Sequence, residues 1–147
     1  MGAFLSRLFE ALFETHPLHG MFVHFPIALS AVALLFVGLA LWQRNEVMEQ
    51  AAFYCVILVM LSTVVAGFTG YRDVIVRFDG EAALVDVKGY MAITLFFLTA
   101  GLSFVRFRKP DVLWDPSSMV LYVSGFVGAF LMAGTLGFLG GVILYGW

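Results

Sequence analysis

Four stretches of this chain contain no Asp, Glu, Lys or Arg: residues 25–42, 51–71, 89–105 and 116–147, which are 18, 21, 17 and 32 residues long. At ~1.5 Å rise per residue even the shortest reaches about 26 Å as a helix, and its neighbours complete a hydrocarbon core of about 30 Å. A bilayer interior offers no water to unpaired backbone amides, so a crossing segment must be a helix or a strand of a closed barrel. These runs are too continuous for the in-and-out alternation of a barrel. The expected fold is therefore all-α, an integral membrane four-helix bundle with spans near residues 20–42, 51–71, 87–106 and 116–146.

Composition removes the soluble alternative. Of the residues, 62% are hydrophobic and 12% charged, against about 25% charged in ordinary globular chains. A soluble bundle would confine its apolar residues to one stripe per helix, whereas here they cover every face. The lipid bilayer is thus the first partner expected. Ten acidic residues against eight basic ones leave no basic surplus for a phosphate backbone, which argues against nucleic acid. Cys55 is the single cysteine, so the chain forms no internal disulfide.

Residues 1–15 read as a separate amphipathic interfacial helix, ahead of the bundle formed by 16–147. Phe4, Leu5, Leu8, Phe9, Leu12 and Phe13 share one helical face, and Ser6, Arg7, Glu10 and Glu14 the other. Such a helix lies along a membrane surface. The connections at 43–50, 72–88 and 106–115 hold nearly all the charge, giving two tight hairpins joined by one longer loop. In that loop Phe68, Gly70 and Asp73, then Asp79-Gly80, read as helix-stop and turn signals. Orientation is close to balanced: Arg7, Arg72, Arg77 and Lys88 face one side, and Arg44, Arg106, Arg108 and Lys109 the other. The crowding of Arg106, Arg108 and Lys109 in one short loop places that loop in the cytoplasm and both termini on the periplasmic side of a bacterial inner membrane.

Chemistry is confined to one rim. Only His24 among ionisable residues is expected near a span interior, which disfavours a pump or transporter. The hydroxyls of Ser30, Ser62, Thr63, Thr94, Thr99, Ser103, Ser124 and Thr135 are expected to bond back to the preceding turn. All three histidines fall within nine residues, His16 to His24, just before Pro26. A neutral imidazole ligates haem iron or a transition metal well. It equally well satisfies loop carbonyls, and both readings stand on the residues. A catalytic role, and hence an enzyme, is not expected. Pro26 has no amide hydrogen, so it either starts the first span or kinks it and frees the carbonyl of Phe22.

The run His16-Pro17-Leu18-His19, followed by Val23-His24-Phe25-Pro26-Ile27-Ala28-Leu29, resembles the signature of a bacterial membrane-protein family, domain of unknown function 2231. Gly67-Phe68-Thr69-Gly70-Tyr71-Arg72-Asp73 is similar to that family's glycine-then-aspartate turn, and Arg106 or Arg108 to the arginine closing its third helix. The resemblance implies a four-helix membrane protein, sometimes joined to redox modules, and places a further histidine at the start of the third span. Here that position is Lys88. Twenty residues separate His24 from Arg44, and twenty separate Lys88 from Arg108, a faint repeat that sets His24 and Lys88 at one depth. Lys in place of His weakens axial clamping of haem b. His16, His19, His24 and Asp73 are left as a smaller candidate haem or metal site, with His24 foremost, and Lys88 as an interfacial cation paired with Asp73 or Asp86.

In the fourth span Gly125, Ala129, Ala133, Gly137 and Gly141 recur at every fourth residue. Small residues admit another backbone closely. They pack within the bundle, or against another membrane subunit or a second copy. Two functions follow from different classes: a haem- or metal-binding electron-transfer subunit, and a cofactor-free structural subunit of a larger respiratory or photosynthetic complex.

Overall fold

The computed structural model describes residues 2–10, 18–81 and 84–145. The expected all-helical architecture is found. In chain order the helices are α1 (Gly2–Glu10), α2 (Leu18–Phe22), α3 (His24–Gln43), α4 (Glu46–Arg77), α5 (Val85–Arg108) and α6 (Pro116–Tyr145). Four segments are long and apolar enough to cross a membrane: Leu18–Gln43, Glu46–Arg77, Val85–Arg108 and Pro116–Ile143. α3 packs on α4, α4 on α5, α5 on α6 and α6 back on α3, so α3 and α5 lie on one diagonal of the square and α4 and α6 on the other. α1 buries no residue, and Phe4, Leu5, Leu8 and Phe9 stay exposed, as suits an amphipathic helix at a lipid surface.

Each span has an inward seam that steps alternately by three and four residues. On α3 it is Pro26, Ser30, Ala33, Val37 and Ala40; on α4, Glu49, Ala52, Val56, Val59, Thr63, Ala66 and Asp73. On α5 it is Leu95, Thr99 and Leu102, and on α6 Tyr122, Phe126, Ala129, Ala133 and Leu136. This is the spacing of helices crossing at a shallow angle in a left-handed bundle. What distinguishes the two faces is size rather than polarity. Ala is the commonest seam residue, with Ser30, Thr63 and Thr99 beside it, while Leu35, Trp42, Tyr54, Phe97, Phe104, Leu121 and Phe138 face outward. In lipid this arrangement is sensible, because small inward residues bring backbones together and large outward ones meet acyl chains. All eight hydroxyls anticipated above bond back to a carbonyl three or four residues earlier, for example Thr99 Oγ1 to Leu95 O at 2.8 Å.

The second span departs most from expectation. Instead of 51–71 it runs over Glu46–Arg77. Asn45 caps it, its Oδ1 accepting from Val47 N at 2.9 Å and Met48 N at 3.3 Å. Glu46 and Glu49 in the first turn complement the helix dipole. At the other end the helix passes through Gly70 and Asp73, because the Asp73 carboxylate is engaged by a neighbouring helix and does not compete for its own backbone. The reversal falls at Asp79 and Gly80, both at positive φ, with Gly80 N bonded back to Val74 O at 3.1 Å.

Pro26 stands in the first turn of α3, and the helix is interrupted at Val23, which separates α2 from α3. The short α2 packs mainly on α4. At the opposite end the α5–α6 connection folds inward, burying Val112 and Leu113 against Ala33, Val37, Ala52, Val56, Tyr122 and Phe126. Asp115 caps α6: it accepts from Ser117 N at 2.9 Å and from Lys109 Nζ, and Pro116 takes the first helical position. These bonds hold the Asp115 carboxyl down at about 2.

Candidate functional site

The two parts of the sequence signature meet in space. α2 carries His19 onto α4, where the His19 backbone N–H donates to Asp73 Oδ2 at 2.9 Å. The His19 ring reaches about two turns back along α4, with Nδ1 2.9 Å from Ala66 O. A carbonyl can only accept, so Nδ1 carries the hydrogen and Nε2 keeps the lone pair. Gly70 makes the approach possible, since a Cβ there would sit 3.0 Å from Nδ1 and 3.1 Å from Cε1 of His19. Asp73, 5% exposed, is completed by Arg72, whose Nη1 donates to Oδ1 at 2.9 Å. Both carboxylate oxygens are therefore engaged.

His19 and His24 do not converge. His24 is exposed rather than facing the bundle, and its Nδ1–H donates to Gly20 O, 2.5 Å away in its own chain segment. Of the two described histidines, the inward imidazole is that of His19. His16 lies outside the described residues. Among the described residues no three His, Cys, Asp or Glu side chains are placed to hold a metal ion. Two apolar grooves, of about 370 and 420 Å³, open outward between α3 and α6 and between α4 and α5, and His19 lines neither. Among the described residues His19, His24 and Asp73 therefore do not gather as one ligand set: His24 is turned outward, and the acid is already bonded.

Lys88 stands in the first turn of α5, on the diagonal from α3 as the repeat implied. Its expected pairing with Asp73 or Asp86 is not formed among the described residues. The stem instead runs inward, where Nζ would be 3.3 Å from a Cβ at Gly140 of α6, and the ammonium is near enough to His19 for its charge to act on the ring.

The opposite rim holds a site the sequence reading missed. Glu49, 3% exposed, receives a forked pair from Arg106: Nε to Oε1 at 2.5 Å and Nη2 to Oε2 at 2.7 Å. The guanidinium also lies over the Phe53 ring, 5.4 Å from its centroid. The available signal was Asn45 as a helix cap. It starts α4 early enough to put Glu49 in phase with Ala52, Val56 and Val59 on the inward seam. Glu49 and Asp73 are 24 residues apart on one helix, about 36 Å along its axis, so the two charged sites bracket a hydrocarbon core.

On α6 the small residues are mostly used inside the bundle. A Cβ at Gly125 would stand 2.5 Å from Leu102 Cδ2, and one at Gly137 2.6 Å from Ile27 Cδ1. Ala129 and Ala133 are buried, while a Cβ at Gly141 would meet nothing within 4 Å. The seam that suggested an external partner is occupied by α3 and α5.

Four apolar spans joined into one bundle, with charge restricted to its two ends, define a multi-pass helical membrane protein. Residues 15–146 match the family described as predicted membrane protein, DUF2231, and the chain belongs to that family. Comparison with curated proteins and with solved structures gives no match.

Proposed function

We propose that this chain is a cofactor-free, non-catalytic structural subunit of a larger respiratory or photosynthetic assembly in the bacterial inner membrane. The observation behind this reading is that both buried acids on α4 are engaged within the bundle, Glu49 by Arg106 and Asp73 by His19 N and Arg72. The seam hydroxyls are likewise bonded to their own helices. Partner subunits then meet the outward side chains of α6, such as Leu121, Leu131 and Phe138, rather than its small-residue seam. The basic cluster around Arg106 keeps that loop cytoplasmic, with the termini periplasmic.

A second reading rests on His19 alone. A ring nitrogen tied to a carbonyl fixes the tautomer and presents the other nitrogen, as in many ligating histidines. In this reading His19 Nε2 is a single ligand to haem b or a transition metal, the other donors coming from a partner subunit. The neighbouring Lys88 ammonium opposes a metal cation there, which is why the structural reading is preferred.

The test is an optical spectrum, oxidised and reduced, with elemental analysis, on protein released from native membranes in mild detergent. The proposal expects a colourless, metal-free protein that co-migrates with a larger complex. A Soret band or stoichiometric metal that disappears in His19→Ala, but not in His24→Ala, would replace it with the second reading.

A further inference from the structure

Lys88 poses a physical problem that the bundle does not solve internally. Its ammonium is half-buried between α5 and α6, and no carboxylate pairs with it among the described residues. The nearest buried acid, Asp73, has one oxygen on Arg72 and the other on His19 N. A partly desolvated cation without a counter-ion is costly. Glycine at position 140 leaves the space the ammonium occupies.

The depth of this cation identifies the missing anion. Lys88 N makes the first backbone bond of α5, to Leu84 O at 3.0 Å, so the residue sits where the span begins. Tyr71 at 71% and Tyr90 at 72% exposure flank it on α4 and α5, and aromatic residues of this kind mark the headgroup level. A cation held at this level by a short reach from its span suits a charge-assisted bond to a lipid phosphate.

We propose that the rim between α5 and α6 binds the phosphate of an anionic lipid headgroup, with Lys88 as its donor. The site does not depend on which function above holds. A bound phosphate completes the charge of the rim and places one lipid against α5 and α6.

The test is native mass spectrometry of the full chain released from nanodiscs holding phosphatidylcholine and phosphatidylglycerol in equal amounts. Wild-type protein should retain phosphatidylglycerol over phosphatidylcholine by about fivefold, the effect of one interfacial cation. Lys88→Gln should lose most of that preference. So should Gly140→Val, which fills the ammonium's space without removing its charge and decides the matter if Lys88→Gln does not fold. Arg44→Gln, at the other rim, should retain it. In nanodiscs of phosphatidylcholine alone, inorganic phosphate should leave thermal stability unchanged. Unaltered retention in both rim variants, no preference in the wild type, or equal stabilisation by inorganic phosphate would each overturn the proposal.

Discussion

The Cβ that Gly70 lacks would stand 3.0 Å from Nδ1 of His19, so the glycine of one helix is the seat of the imidazole of another. Gly70→Ala therefore has two opposed effects. Alanine raises helix propensity by about 1 kcal/mol, while the displaced ring strains a packed site by ~1–3 kcal/mol. In the wild-type background the substitution should destabilise the protein. In a His19→Ala background, where the ring is gone, it should stabilise by about 1 kcal/mol. Thermal unfolding in detergent across this double-mutant cycle reads the sign reversal.

The Glu49–Arg106 pair is buried enough that a lone survivor is expensive. Glu49→Leu leaves Arg106 without its carboxylate and should cost about 3 kcal/mol or more. Replacing both residues by Leu should cost less than that single change, because no orphan charge remains. Denaturant titration of the three variants checks the order. Equal losses for the single and double variants would show that the pair is not coupled.

Most of the architecture is visible in the uncharged runs, and the reason is solvation: lipid forbids both charge and unpaired backbone. The seams are not visible to hydrophobicity, because outward Leu and Phe are as apolar as inward Val. They emerge once residues are ranked by size, as Ala33, Ala40, Ala52 and Ala66 show. The helix end near Asp73 is misread because aspartate commonly signals a stop, and nothing local reveals that His19 N, 54 residues away, engages its carboxylate. Glu49 is misread for the related reason that a charge next to a loop is assumed to be solvated.

Asp115 links the α5–α6 turn to acid stability. Its carboxyl is held at about 2 by Lys109 and Ser117, below the usual value of about 3.9. A depressed folded value means that its contribution is complete above about pH 4 and is lost as pH falls toward 2. Between pH 5 and 2 wild type should lose more stability than Asp115→Asn, whose side chain still caps α6 but does not titrate. Melting temperatures across that range, compared between the two proteins, test it.

Small residues on α6 separate packing within the chain from packing outside it. Ala133 is 1% exposed and Gly134 faces outward. Ala133→Leu should destabilise the monomer by ~1–3 kcal/mol through overpacking, and Gly134→Leu should not overpack. The reverse order, with Gly134→Leu disrupting an oligomer and Ala133→Leu silent, would place the fourth span at an external interface.

The account depends most on the bundle spanning a bilayer, with the His19 rim and the Arg106 rim on opposite faces. In a Cys55→Ala background, single cysteines at Gly80 and Asp111 should react with a membrane-impermeant maleimide from different sides. We expect Gly80→Cys to label in intact spheroplasts and Asp111→Cys only after permeabilisation. Labelling of both from the same side would contradict the account.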